Sequence, residues 1–295
     1  MKKIGFVGLG VMGAPMAANL LRKGFRLNVY NRTAEKAEPL VRQGAEAASS
    51  PAEAARDADV VITMVSDDDA IRQVYYGERG ILSAIRPDVT VIDSSTISPA
   101  LSVQLAEDIR ARSGHFLDAP VTGSKPGAEN GTLLFMVGGD AQVIERHRDV
   151  FLAMGREIIH TGENGSGSVA KLAHNTVVAV NLAGLAEGTA IAVKGGLDPA
   201  VFMKIILAGN ASSKQAELKA DKILAGDYSV QFALGLMLKD LKLASGLADR
   251  LGLSSPMLGA VKNLFQMGQA QGLDGEDMSA VMRVYENWLG RSVSQ

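Results

Sequence analysis

The stretch VGLGVMG, residues 7–13, sits between a short apolar run at 4–7 and a helix-like pattern at 12–23. Gly8, Gly10 and Gly13 fit the spacing G-x-G-x-x-G. Between a strand and a helix, each glycine has its own reason. The first makes a tight turn, the second lets a pyrophosphate reach the backbone, and the third lets helix and strand pack closely. The helix N-terminus adds unpaired N–H groups suited to phosphate. The backbone from Gly8 through Leu9, Gly10, Val11, Met12 and Gly13 therefore reads as a dinucleotide cradle. The plain alternative is a tight turn and nothing more.

The choice of dinucleotide is read where the second strand ends, about twenty residues on, where an NAD site usually presents a carboxylate to the ribose hydroxyls. Here the residues are Tyr30, Asn31, Arg32 and Thr33, with no acid. A guanidinium pairs bidentately with phosphate, so Arg32 suits a 2′-phosphate, with Asn31 and Thr33 donating further hydrogen bonds. The expected cofactor is NADPH/NADP+, with NAD(H) weaker. A solvated turn with Thr33 capping a helix is the alternative.

Outward from this unit, strand patterns at 4–7, 27–30, 60–64, 89–93, 115–120, 133–138 and 157–160 alternate with helical ones. The helices include 12–23, 34–43, 51–56 and 100–113. Such alternation predicts an α/β domain, a mostly parallel sheet covered by helices on both faces. After TGENGSGS, residues 161–168, no further strand pattern occurs and the chain reads as helices. The expected domains are 1–162, binding the dinucleotide, and an all-α domain at 163–295.

A long helix over 166–194, rich in Ala, Val and Gly, opens the second domain. Its length raises the question of a membrane span. Asn181, Glu187 and the interior Gly184 and Gly188 favour a buried interdomain helix instead.

Composition excludes several classes. The 295 residues carry a formal net charge of −2, with no pull toward nucleic acid or an anionic membrane. No cysteine is present, which removes disulfides, thiol catalysis and thiolate metal sites. His115, His147, His160 and His174 show no metal-ligand spacing, and Asp67, Asp68 and Asp69 suit a helix-capping loop. Glycines and Asn19 interrupt any signal-peptide core, so a cytoplasmic location is expected.

Two further stretches carry chemistry. In FLDAPVTGSKPGAENGTL, residues 116–133, a strand runs through Asp118 into the small residues Thr122, Gly123 and Ser124. Their N–H groups and hydroxyls suit a substrate carboxylate; a bare turn is the alternative. In GENGSGSVAKLAHN, residues 162–175, Lys171 and Asn175 stand four apart and so share one helix face. A desolvated lysine loses its proton more readily, which suits transfer with a hydroxyl. Against this stand a lysine that snorkels to solvent and His174 as a rival acid–base group or a solvent-facing ring.

Together these residues resemble the β-hydroxyacid dehydrogenase family, which includes 3-hydroxyisobutyrate dehydrogenase and tartronate semialdehyde reductase. Its blocks occur in order at 8–20 (GLGVMGAPMAANL), 118–133, 162–175 and 239–244 (KDLKLA), covering essentially the whole chain. The resemblance implies a Rossmann domain joined to an all-helical one, with NAD(P)H in the cleft. It implies Lys171 as catalytic acid–base and Asn175 as substrate-orienting. Met64, Val65, Ser66 and Thr96 would line the cofactor, and Lys239 would reach toward it. Thr122, Gly123, Ser124, Phe232, Lys239 and Asp240 would contact the substrate.

Two departures stand out: the family's usual serine after Pro-Val is Thr122, and its Gly-Gly pair is Gly123-Ser124. This variant is most like the glyoxylate/succinic semialdehyde reductase branch, as is Asn31-Arg32-Thr33. The implied reaction is NADPH-dependent reduction of a small carboxylate-bearing aldehyde or oxo acid by a homo-oligomer, dimer or tetramer. Rivals are an NAD-dependent 3-hydroxyisobutyrate or tartronate semialdehyde enzyme, an imine reductase, and a non-enzymatic scaffold. Retention of Lys171 disfavours the last two.

Overall fold

The computed structural model describes residues 2–294. It divides into two compact units, one ending at Lys171 and the other beginning at Leu172. The sequence reading put the break earlier, at 162/163. The difference arises because the first turn of the helix Ser166–Lys194 is tied to the sheet by Asp118 and Ser102, as described below.

The first unit is built on strands β1 (Lys3–Val7), β2 (Arg26–Tyr30), β3 (Glu46–Ala47), β4 (Val60–Thr63) and β5 (Thr90–Asp93). They are followed by β6 (His115–Asp118), β7 (Val121–Thr122), β8 (Leu133–Gly138) and β9 (Gly155–Gly162). Among the described residues they form one sheet, ordered β3-β2-β1-β4-β5-β6-β8-β7, with β9 also pairing β8. From β3 to β6 all pairings are parallel, whereas β8 runs antiparallel to β6 and β7. Every residue of β4 and β5 is buried, as expected of strands covered on both faces. The mostly parallel sheet read from the sequence is present.

Local differences have local causes. The pattern at 34–43 resolves into a 3₁₀ turn, Ala34–Ala37, and a one-turn helix, Glu38–Val41, which starts where Pro39 lacks an N–H. The strand expected at 115–120 breaks at Ala119 and resumes as β7. The small-residue loop after it opens directly into a helix, Ser124–Asn130. β3 went unseen because two exposed residues carry no apolar pattern.

Helices Pro51–Ala55, Asp68–Tyr76, Pro99–Arg110 and Ala141–Arg146 are each capped by a side chain, from Ser50, Asp67, Ser98 and Asp140. Asp67 is thus a cap, as the sequence suggested.

The second unit is helical: Pro199–Ala208, Lys214–Ala225, Leu234–Arg250, Pro256–Ala270 and Met282–Leu289 follow the long helix. Leu172, Ala179, Leu182 and Ala186 from that helix lie fully buried in a core with Leu234, Leu241, Phe265 and Val281. By length and apolar composition alone the long helix is long enough to cross a bilayer.

One polar knot is set into this core. Lys219 is 2% exposed and donates to both oxygens of fully buried Asp277, at 2.8 and 3.1 Å. Asp277 also accepts from the backbone N–H groups of Gln231 and Phe232 and from Ser279. Phe232 is thereby fixed through its backbone just before the helix Leu234–Arg250.

Candidate active site

The glycine-rich turn lies at the carboxyl end of β1, beside β4, where the strand order reverses. In open α/β sheets ligands bind in such a crevice. The Gly8 N–H donates to the Tyr30 carbonyl and the Leu9 N–H to Oδ1 of Asn31, both at 2.9 Å. The Asn31 amide also donates to the Thr33 carbonyl at 2.9 Å. Asn31 therefore pins the turn to the end of β2, with much of its amide already engaged.

The three glycines differ in what surrounds them. Gly8 has φ +101°, and a Cβ there would lie 2.2 Å from the Met64 carbonyl oxygen. A Cβ on Gly13 would lie 1.9 Å from the Gly8 carbonyl oxygen. Both are required by the protein itself. A Cβ on Gly10 would meet nothing within 4 Å.

The fold leaves the space over Gly10 open, and the helix Gly13–Arg22 begins there with neither a side-chain cap nor an acid in its first turn. An open backbone cradle at an uncapped helix N-terminus fits a dinucleotide pyrophosphate. Arg32 and Thr33 are exposed at the end of β2.

The ends of β4 and β5 are joined. The Val65 N–H donates to Ser95 Oγ at 2.9 Å, and the Ser94 N–H to the Thr63 carbonyl at 2.8 Å. Beneath them Tyr75 O–H donates to Thr63 Oγ1 at 2.9 Å, because the threonine hydroxyl spends its own hydrogen on Asp93 Oδ1 at 2.6 Å. Among the described residues Oδ2 of Asp93 has no hydrogen-bond partner. Burial raises the Asp93 carboxyl to about 6, opposed by the bonds from Thr63 and Ser95 and assisted by Asp118 alongside. This buried network braces the segments that carry Met64, Val65, Ser66 and Thr96.

Asp118, the last residue of β6, holds the start of the long helix. Its Oδ1 accepts from the Gly165 N–H at 2.8 Å and its Oδ2 from the Ser168 N–H at 2.9 Å. A Cβ on Gly167 would lie 2.5 Å from the Asp118 carbonyl oxygen, so only glycine lets helix and sheet approach this closely. Ser102 and Ser168 hydroxyls meet at 2.8 Å. Burial raises the Asp118 carboxyl, and the bonds from Gly165 and Ser168 oppose that. One turn beyond Ser168 the helix carries Lys171, which is 8% exposed and so does not snorkel.

Thr122, the last residue of β7, and Ser124 just after it are half-buried, and neither lies at the ends of the parallel strands. Gly123 has φ +133° and Ser124 φ +53°. Ser124 thus holds a left-handed conformation that glycine adopts more easily, at a cost of about 1 kcal/mol.

In the second unit, Asn175 is 3% exposed and donates to Oδ2 of Asp240 at 2.6 Å. Its Oδ1 lies 2.9 Å from Nδ1 of half-buried His174. Nζ of Lys239 sits 2.8 Å from the other Asp240 oxygen, an ion pair without hydrogen-bond alignment. His174 is therefore not simply solvent-facing.

The sequence-selected residues fall into two sets. Gly8–Gly13, Asn31–Thr33, Met64–Ser66 and Thr96 gather at the carboxyl ends of the parallel strands, whereas His174, Asn175, Lys239 and Asp240 cluster in the helical unit. Sequence reasoning missed Thr63, Asp93 and Ser95 and gave Asp118 no role. The available signal was a polar residue closing each of three apolar strands. Among the described residues no His/Asp/Glu cluster fit for a metal occurs.

Residues 3–162 match the NAD binding domain of 6-phosphogluconate dehydrogenase. Residues 165–285 match the NAD-binding domain of NADP-dependent 3-hydroxyisobutyrate dehydrogenase. The chain belongs to the β-hydroxyacid dehydrogenase family.

It is 38% identical to an NAD-dependent L-serine dehydrogenase of Pseudomonas aeruginosa, over 99% of this chain and 100% of that one. It is 36% identical to chloroplastic glyoxylate/succinic semialdehyde reductase 2 of Arabidopsis thaliana, over 95% of this chain and 78% of that one. The solved 3-hydroxyisobutyrate dehydrogenase of Mycobacterium tuberculosis superposes with a TM-score of 0.87 at 33% identity, covering 96% of this chain and 99% of that one. Membership makes the protein an NAD(P)-dependent oxidoreductase acting on CH–OH groups of small hydroxy acids or the matching carbonyls. These β-hydroxyacid dehydrogenases differ in the substrates their names state.

Proposed function

We propose that the protein is an NADPH-dependent reductase of small semialdehyde or 2-oxo acids, such as succinic semialdehyde or glyoxylate. The observation that carries the reading is Lys171, buried and one helical turn before buried Asn175. When bound, the nicotinamide supplies the hydride. Lys171 donates a proton to the developing alkoxide oxygen, and in the reverse direction takes it back. Asn175 orients the substrate, while Thr122, Gly123 and Ser124 hold its carboxylate. Phe232 and Lys239 restrict the space beside it.

The residues that would hold the cofactor are the Gly8–Gly13 backbone, Arg32 with Thr33 at the ribose phosphate, and Met64, Val65, Ser66 and Thr96 toward the nicotinamide. Assembly as a dimer or tetramer through the helical unit belongs to the same reading. Exposed Ile191, Ile205 and Met257 support it by leaving apolar surface on that unit.

NADPH and NADH oxidation against a panel of semialdehydes and 2-oxo acids tests the assignment. NADPH should give the higher kcat/KM. Arg32→Ala should penalise NADPH by about 1.5–3 kcal/mol and leave NADH almost unchanged. Preference for NADH in the unaltered protein would instead favour an NAD-dependent 3-hydroxyisobutyrate or tartronate semialdehyde enzyme.

A further inference from the structure

The contacts of Asn175 fix more than its place on the helix. Asp240, ion-paired with Lys239, offers only acceptors, so the atom of Asn175 lying 2.6 Å from it is the amide nitrogen. The amide oxygen is then the atom 2.9 Å from His174 Nδ1, and an oxygen acceptor there requires Nδ1 to carry the hydrogen. The neutral imidazole is held as its Nδ1–H tautomer, and the imidazolium keeps the same bond. Protonation of His174 therefore leaves Asn175 where it is.

We propose that His174 is a positioning residue that locks the Asn175 amide, so that Asn175 keeps one N–H for the substrate. With Oδ1 held by His174 and one hydrogen by Asp240, a single amide N–H has no partner among the described residues. That N–H suits an oxygen that accepts, such as a carboxylate or carbonyl oxygen. This deepens the proposed function and rests on Asn175 meeting the substrate there. In the neutral ring the only N–H of His174 is the one that faces the Asn175 amide.

Asparagine places an amide nitrogen near where histidine has Nδ1, so His174→Asn keeps the donor without the imidazole ring. His174→Ala removes both. The first test is long-range ¹H–¹⁵N correlation on ¹⁵N-histidine protein near pH 7.5, where only four histidines contribute and His174→Asn identifies the signal. The expected spectrum shows a protonated Nδ1 and an imine-like Nε2; an Nε2–H tautomer would overturn the proposal.

The second test is kinetic. His174→Ala should raise the substrate KM roughly tenfold with the NADPH Kd unchanged, and His174→Asn should restore it to within about twofold. Equal impairment of both variants, or none in His174→Ala, would refute the lock. Failure of the reductase assignment would appear separately, as absence of semialdehyde turnover in the unaltered protein, without changing the tautomer.

Discussion

Replacing each of the three glycines with alanine separates what the fold needs from what the ligand needs. At Gly8 the methyl group would sit 2.2 Å from the Met64 carbonyl oxygen, on a backbone at φ +101°. The unfavourable φ costs about 1–2 kcal/mol and the overlap about 1–3 kcal/mol more. Gly8→Ala should therefore lose about 2–5 kcal/mol of stability. At Gly13 the overlap with the Gly8 carbonyl oxygen, at 1.9 Å, is with backbone that cannot swing away. The loss there should be about 1–3 kcal/mol or more.

Gly10 is the opposite case. Its φ lies outside the left-handed region and nothing stands within 4 Å of the added methyl. Reduced freedom of the unfolded chain should leave Gly10→Ala as stable as the parent, or more stable by about 0.4–1 kcal/mol. Yet the methyl would fill the space a pyrophosphate needs, and cofactor affinity should fall at least about tenfold, or ~1.4 kcal/mol. Urea unfolding followed by circular dichroism gives the stabilities, and quenching of intrinsic fluorescence on NADPH titration gives the affinities. Unchanged NADPH affinity in Gly10→Ala would refute the cradle, and a large stability loss there would refute the reading of open space.

Three other outcomes follow from the same geometry. Lys171→Ala should lower kcat by about 10²–10⁴-fold with the cofactor still bound. Lys171→Arg should not restore it, because a guanidinium keeps its proton; near-parental turnover of the alanine variant would defeat the mechanism. Asp118→Ala strands the buried N–H groups of Gly165 and Ser168 and should cost about 2–5 kcal/mol in chemical unfolding, with a shift below about 1 kcal/mol counting against the clamp. The raised Asp93 carboxyl makes a pH prediction. Its folded value of about 6 exceeds the unfolded 3.8, so its contribution is fully present below 3.8 and is lost as pH rises through 6. Unfolding free energy should therefore decline between pH 4 and pH 7 by up to about 3 kcal/mol, a slope absent in Asp93→Asn; identical slopes in the two proteins would contradict it.

The parallel sheet and the glycine turn were legible because apolar runs and glycine spacing are properties of contiguous residues. So was the long helix that carries Lys171 and Asn175 four residues apart. Asp118 escaped because its partners, Gly165 and Ser168, lie 47 and 50 residues further along the chain. Its identity as an aspartate ending a strand says nothing of which amides it will meet. His174 was ambiguous for a different reason. Neighbours on a helix diverge in direction, and only side-chain rotation brings Nδ1 onto Asn175. Asn31 was read as a ligand donor, and the structure shows it first serving the glycine turn; a polar side chain in sequence does not announce whether it faces ligand or backbone.

The knot around Asp277 has a consequence for how the helical unit comes into being. Lys219 and Asp277 are 58 residues apart, and Gln231 and Phe232, which bond the same carboxylate, are 46 and 45 residues from it. A half-assembled unit would either leave a charge dehydrated without its counter-ion or keep the whole junction open to water. Neither state is comfortable, because breaking a buried pair by removing one partner costs about 3–5 kcal/mol. Partly built forms are penalised relative to both ends of the reaction, which favours all-or-none assembly of this unit. Its folding waits on closure of a long loop, so the last helices must be present before the segment carrying Phe232 can settle.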